Sequence, residues 1–469
     1  MRLQIARRAA RGVAAAVLLT SCAFVVAVGA TGAPQDGSSS PAAIETESPN
    51  PPAQNPAAKT ESPPLDPRVA PNDASHWRQF RGDGTGRSSA RGLPLRWSET
   101  EGIRWKTPLP GRGHSSPVIE DGTVWTTTAF DEERSLRLLG VDADGGELVH
   151  TIEVFTPEAW QPGHPHNSYA SPTPVAEPGR VCVHFGTYGT ACLDPEGKVL
   201  WRRQLPQEHE VGPGSSPILW RDLLIVHCDG VDSQFVVAFD KDSGEERWRR
   251  TRHFMDERKG PHKKAFNTPY IFRWGPRHLV LSTGATHTSA YDAATGEEVW
   301  FVRHEGYSNV AMPMVGLGLA FVNSGFVQPK MLAVELGGSG DVTADRVRYT
   351  YAWQVPANPS PLLIGRRIFM VNNQGNATWL NAFTGESIWR QRLRGQHYAS
   401  PLEAEGRIYS WRIDGSGVVI AADDSYELLA ENELDGEIRA TPAIADGSFF
   451  IRTDGHLYRT VTAVRPADD

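Results

Sequence analysis

The sequence predicts an all-β protein, an eight-bladed β-propeller of four-stranded antiparallel blades whose last blade is closed by an N-terminal strand. Three observations predict it. A small residue followed by Pro recurs at blade-like spacing. A turn ending in Trp recurs in phase with it. The strand missing from the C-terminal end has its counterpart near the N-terminal one.

The Pro repeat comprises Ser116-Pro117, Ser171-Pro172, Ser216-Pro217, Thr268-Pro269, Met312-Pro313, Ser360-Pro361, Ser400-Pro401 and Thr441-Pro442, with gaps of 55, 45, 52, 44, 48, 40 and 41 residues. A period of this size fits one four-stranded blade. The second repeat runs Asp240 to Trp248, Asp292 to Trp300 and Asn381 to Trp389, with a copy one residue shorter from Asp194 to Trp201. Asp or Asn opens a tight turn and Gly takes its positive-φ position. The chain then enters an outer strand whose Trp packs between blades. On this reading Trp105, Trp201, Trp248, Trp300, Trp353 and Trp389 are docking residues. Blade five stretches the turn from Glu335 to Trp353, and blades one and seven place His150 and Glu431 near the Trp position.

Runs such as Leu223–Val226, His278–Ser282, Arg367–Val371, Arg407–Trp411 and Ser448–Arg452 are short, branched or aromatic, and bounded by turn residues, as strands are. No window carries a long helical period. The unit beginning at Thr441 lacks an outer strand, and Trp105-Lys-Thr-Pro-Leu109 resembles Trp201–Leu205 and Trp389–Leu393. The N-terminal strand is therefore expected to complete the last blade and remove an open edge.

Ahead of the repeats, residues 1–33 read as a signal peptide or membrane anchor. Arg2, Arg7, Arg8 and Arg11 precede an uncharged run from Gly12 to Ala30, the pattern of an export signal. Cleavage, retention as a membrane anchor, and lipidation at Cys22 within Leu19-Thr-Ser-Cys22 stay open. Residues 34–75 hold ten prolines and little to bury, so they read as a disordered Pro/Ser-rich linker. Residues 76–462 form the propeller and 463–469 a tail. The expected location is the periplasm or cell surface.

A net charge of −8, with four basic residues and no acid in the first 33 positions, leaves an acidic body. Nucleic-acid binding needs clustered cations and is set aside. The four Cys form no C-x-x-C pair. Cys182 and Cys192 flank a hairpin, where either a disulfide or two buried thiols fits.

The Asp-x-x-(Thr/Ser)-Gly-Glu-x-x-Trp turns resemble the tryptophan-docking motifs of the quinoprotein, or PQQ-like, β-propeller superfamily. The opening Trp77-Arg-Gln-Phe-Arg-Gly-Asp-Gly-Thr-Gly86 is similar to the leader of its exported bacterial members. The resemblance implies one of two activities. One branch oxidises alcohols or sugars with pyrroloquinoline quinone (PQQ) and calcium, the quinone covered by a disulfide between adjacent cysteines. The other, similar to BamB of outer-membrane protein assembly, is a non-catalytic platform for partner proteins. This chain has no adjacent cysteine pair and no C-x-x-C-H haem motif, and its loop acids, among them Asp229, Asp232 and Asp414, form no assignable calcium set. The reading is therefore a platform binding an envelope protein or polymer, with no cofactor and possible membrane attachment through the N-terminus. A PQQ/calcium dehydrogenase and a carbohydrate-binding propeller are the alternatives.

No catalytic residue is assigned. Residues just before each Pro repeat should crowd one funnel mouth and are unusually polar. Arg112, His114, His166, Asn167, Tyr169, His209, Lys264, Asn267, Tyr307, Asn309, Asn358, His397, Tyr398 and Arg439 are the expected ligand-binding set. His164-x-His166 lacks a third ligand and is not read as a metal site.

Overall fold

A computed structural model describes residues 74–253, 255 and 259–462. The expectations for residues 1–33, for nearly all of the 34–75 linker and for the 463–469 tail lie outside the described residues. Eight antiparallel blades of four strands make the described body, closed as an eight-bladed propeller. Blade one shows the plan, with an inner strand Val118–Glu120, middle strands Thr123–Phe130 and Ser135–Asp142, and an outer strand Leu148–Phe155. Blade eight takes Ala443–Ala445, Ser448–Arg452 and His456–Thr460 from the C-terminal end and Ile103–Pro108 from the N-terminal one. Trp105 stands opposite Arg459 in that seam, so the two chain regions close the ring by backbone hydrogen bonds. Among the described residues the only α-helix is Thr343–Arg346.

The Pro repeat has a physical cause. Each inner strand begins right after the Pro, which has no N–H to donate. The residue before it forms a ring joined blade to blade. The backbone N–H groups of Ser116, Thr173, Ser216, Met312, Ser360 and Ser400 donate to the side-chain hydroxyls of Thr173, Ser216, Thr268, Ser360, Ser400 and Thr441, at 2.9–3.1 Å. Blade five supplies Met312 and so offers no hydroxyl. The ring corrects one register. Blade two enters it through Thr173-Pro174, with its inner strand at Val175–Glu177. Ser171, expected in that place, instead donates through Oγ to Asn167 Oδ1 at 2.6 Å. Two X-Pro pairs in succession hid the choice from the sequence.

Docking follows the expected logic, with changes at irregular blades. Trp248 is 6% exposed and donates from Nε1 to Ala293 O of the next blade at 3.1 Å. Its ring lies on Gly296 (φ +69°), where a Cβ would stand 2.6 Å from Cδ2. Hence the turn requires Gly twice over, for φ and for space. Trp105, Trp201 and Trp389 donate likewise to Ala143, Lys241 and Asp423 carbonyls. In blade five the register position, opposite Ala333, belongs to Tyr349, whose OH donates to Ala382 O at 2.8 Å. Trp353, assigned to docking from the sequence, lies beyond that strand, is 39% exposed, and carries the Arg390 guanidinium over its ring at 4.3 Å. In blade seven Ala430, not Glu431, is the register equivalent. Trp300 is 1% exposed, yet its Nε1 finds no acceptor. The blade-five turn that would supply one has become an insertion, whose Gly340–Asp341 pairs parallel to Trp300 and Phe301.

Cys182 and Cys192 face each other on the two middle strands of blade two and form a disulfide. Cys228 is free and buried.

The Trp77–Gly86 leader acquires a place. Ala74 O accepts from Asp446 N in blade eight, Trp77 pairs with Ile119 in blade one, and Arg78 O accepts from Ala176 N in blade two. Arg81 donates from Nη2 to Pro361 O of blade six at 2.7 Å, and Gly86 O accepts from Glu403 N of blade seven. A segment tied to the inner strands of five blades crosses the central channel. Arg81, fully buried, sits within it beside the ring.

Candidate functional site

Counting back from each ring residue exposes a second regularity. The ring residue and the one before it are buried in all eight blades, whereas the residue two before it is partly exposed in all eight. These rim residues are His114, Ser171, Gly214, Phe266, Val310, Asn358, Tyr398 and Arg439, in blades one to eight. They line the mouth of the channel, and the leader closes the channel beneath them.

Four of the expected ligand-binding residues, His114, Asn358, Tyr398 and Arg439, stand on this rim. The others lie outside the rim, and most of them are engaged by neighbouring groups. His209, Lys264, Asn267, Asn309 and His397 are buried. His209 Nε2 accepts from Thr187 N at 2.8 Å, and burial pushes its pKa down to about 4. Lys264 pairs with Glu210, and Asn267 donates to Thr283 O. Asn309 donates to Gly284 O at 2.6 Å. His397 bonds Ser410 Oγ at 2.9 Å and Arg394 O at 3.1 Å. Asn167 donates to Val211 O at 2.9 Å. Tyr169 donates to Gln161 O at 2.7 Å and stacks on Trp160 at 4.2 Å. Tyr307 stacks on His262 at 4.5 Å. Arg112 reaches Pro165 O, and His166 is exposed. Ser171, Gly214, Phe266 and Val310 complete the rim, and polarity gave no cue to them. Their cue is position, two residues ahead of the ring residue.

The rim is electrostatically one-sided. Arg439 lies over the Tyr398 ring at 5.2 Å and pairs with Glu437 at 2.9 Å. Arg452, 2% exposed, places its guanidinium against Gly113, whose missing Cβ leaves it room. Its Nη1 donates to Ser115 O and Oγ, Thr126 Oγ1 and Thr127 O, and it has no acidic partner among the described residues. Burial pulls its pKa down to about 9. Burial first, then the Arg452, Arg439 and Arg112 charges, push His114 down to about 3, so its imidazole is neutral near pH 7.

The rim does not fit a calcium–quinone site. None of its eight positions is a carboxylate, and calcium binds through several converging oxygens. The loop acids are otherwise engaged. Asp229 takes Arg252 Nε at 2.8 Å, Asp232 takes Glu208 N at 2.7 Å, and Asp414 takes Ser416 N at 3.1 Å. Asp229 also belongs to a line that resembles a hydrolase triad, with Ser282 Oγ 3.0 Å from His227 Nδ1 and His227 Nε2 3.2 Å from Asp229. Arg252 neutralises that carboxylate and all four side chains are buried, which leaves no path for a substrate. His76, Glu120 and Asp121 gather near the leader, but Arg78 holds Glu120 through two donors.

Beside the rim, the blade-five hairpin exposes Phe326 (55%) and Val327 (70%) above a groove of about 340 Å³ lined by Gln354, Val355, Asn372 and Asn373. A second, open groove of about 850 Å³ runs along Tyr351, Arg367, Trp389 and Asp424 at the outer edge of blades five to seven.

The described blades form a closed eight-bladed ring with docked turns and a mouth that is polar on one side. A family profile described as outer membrane protein assembly factor BamB matches residues 88–227 and 339–428. The profile match and the solved structures together support a propeller of the PQQ-like type. Among solved structures it is similar to BamB from Moraxella catarrhalis, at 12% identity and a TM-score of 0.54, covering 76% of this chain and 99% of that one. It is also similar to quinohemoprotein alcohol dehydrogenase from Comamonas testosteroni, at 12% identity and a TM-score of 0.59, covering 86% and 83%. A europium-containing methanol dehydrogenase gives 11%, 0.58, 84% and 90%. No curated protein sequence matches significantly. At such identities the likeness carries the fold, which both branches share.

Proposed function

We propose that this protein is an exported, non-catalytic platform that binds a protein or polymer partner of the cell envelope at its mouth face. The observation that carries the reading is the rim, with eight positions, no carboxylate and a cationic side, above a channel crossed by the protein's own leader. That donor set suits recognition and offers neither the calcium ligands nor the acidic base that the quinone chemistry of the superfamily requires. The match to the assembly-factor profile and the exposed Phe326-Val327 hairpin beside the rim also support it. The export address and the partner's location in the envelope rest on the Arg-led N-terminal segment.

The decisive experiment incubates the whole protein with PQQ and calcium and follows dye-linked oxidation of alcohols and sugars. We expect no stoichiometric quinone binding and no turnover; both together would overturn the reading. Glycan binding is the second reading. It has the outer groove in its favour, where Trp389 lies beside the Arg367–Asp424 ion pair (2.6 Å). A glycan array with the whole chain tests it.

A further inference from the structure

We propose that the mouth binds a carboxylate carried on an apolar stem. The carboxylate is held by Tyr398, Arg439 and His114 at blades seven, eight and one, and the stem lies against Phe266 and Val310 at blades four and five. The inference deepens the platform reading and rests on it, since such a group is what a partner would present.

Three features converge. The first is topological. In a closed ring of eight, blades four and five face blades eight and one across the axis. Phe266 and Val310 therefore oppose Arg439 and His114, and Gly214 of blade three leaves the apolar side open. The second is unmet donor capacity. Arg439 Nη1 and Arg452 Nε are buried and have no acceptor, and Arg452 Nη2 makes no hydrogen bond among the described residues. A buried N–H without an acceptor is costly, and a carboxylate is the acceptor that guanidinium forks match best. The third is charge. Arg112 and Arg452 have no acidic partner among the described residues, and Glu437 offsets only Arg439. Arg81 adds another buried guanidinium to the same channel, with Nε and Nη1 unmatched, although the Asp83 carboxylate nearby offsets its charge. The neutral His114 and the Tyr398 phenol supply directional donors rather than competing charge.

Isothermal titration of the whole protein in low-chloride buffer tests the site. The probes are 4-phenylbutyrate, its amide, inorganic phosphate, and an acetylated tetrapeptide ending in Phe with a free or an amidated terminus. We expect saturable one-to-one binding of the free carboxylates. The amides should bind at least about ten-fold more weakly, since they forfeit a charge-assisted pair. Phosphate, lacking a stem, should bind more weakly than 4-phenylbutyrate. Tighter binding of the peptide than of phenylbutyrate assigns the carboxylate to a partner's terminus, and the reverse order to a free small molecule. Arg439→Met should lose about ten-fold, Arg439→Lys less, and Phe266→Ala a few-fold. The outer-edge variant Arg250→Met should match wild type. Equal binding of acid and amide, phosphate as tight as phenylbutyrate, or an unaffected Arg439→Met would overturn the site. No saturable carboxylate binding in the millimolar range would do the same, and would leave the platform reading to its own quinone-turnover test.

Discussion

Replacing Trp248 and Trp300 one at a time by Phe separates what a docking indole contributes by packing from what it contributes by its N–H. Both indoles are buried and sit at the same register, opposite Ala238 and Ala290 in their own blades. Either replacement removes a comparable volume. At about 24 cal/mol per Å³ of residual cavity, this costs about 1 kcal/mol. Trp248 also donates to Ala293 O at 3.1 Å, and Ala293 is fully buried. Phe leaves that carbonyl without this donor, a further cost of about 1–3 kcal/mol. Trp300 Nε1 has no acceptor, so Phe there removes an unmet donor. Trp248→Phe should therefore destabilise more than Trp300→Phe by about 1–3 kcal/mol. Urea unfolding of the whole chain, followed by circular dichroism, measures the difference. Equal costs, or a larger one at Trp300, would refute the claim that the Trp248 indole N–H latches its blade to the next.

Other outcomes follow from the same geometry. Tyr349→Phe should cost about 1 kcal/mol by losing the bond to Ala382 O, whereas Trp353→Phe, which keeps an aromatic ring outside the docking register, should stay within about 0.5 kcal/mol in the same assay. His184 and His287 are pushed down to about 3, and His209 and His397 to about 4, chiefly by burial. Their folded pKa values lie below the unfolded 6.5, so the unfolded chain binds the extra protons. Stability should fall as pH drops from 6.5 toward 4, by up to about 1.4 kcal/mol per pH unit for each histidine. An unchanged urea midpoint between pH 7 and 5 contradicts this. In peptide-level alkylation, Cys228 should react only after unfolding, because burial raises its pKa, and Cys182 and Cys192 only after reduction.

The blade count, the closing strand and most docking indoles were legible because each rests on a local rule that repeats. Asp, Gly and Trp at fixed offsets make a turn, a positive φ and a wedge. Legibility failed where a blade breaks its own pattern. The blade-five insertion moved docking from a Trp to Tyr349, and Ser171-Pro172-Thr173-Pro174 offered two registers between which only the neighbouring blade's N–H decides. The site was legible only in part for a different reason. Polarity singled out His209, Lys264, Asn267, Asn309 and His397, yet such loops contain many backbone groups to satisfy, and burying a polar side chain is how the fold satisfies them. Phe266 and Val310 gave no polar cue, although they stand at the open mouth.

The ring explains why the mouth is free to specialise. The ring residue is constrained by its neighbour's N–H, the Pro after it by the start of the inner strand, and the residue before it by burial. Two residues ahead, the chain has met its backbone obligations and the side chain reaches the mouth. That position accordingly carries His, Ser, Gly, Phe, Val, Asn, Tyr and Arg in eight otherwise similar blades. Uniform burial one step inward and diversity at the rim are what a fold that holds its scaffold constant while varying its recognition surface must produce. Exchanging rim residues between blades, such as Val310→Arg with Arg439→Val, should leave stability within about 1 kcal/mol while reversing the orientation in which the mouth holds a charged ligand. A loss of folding comparable to that of Trp248→Phe would show instead that the rim, too, belongs to the scaffold.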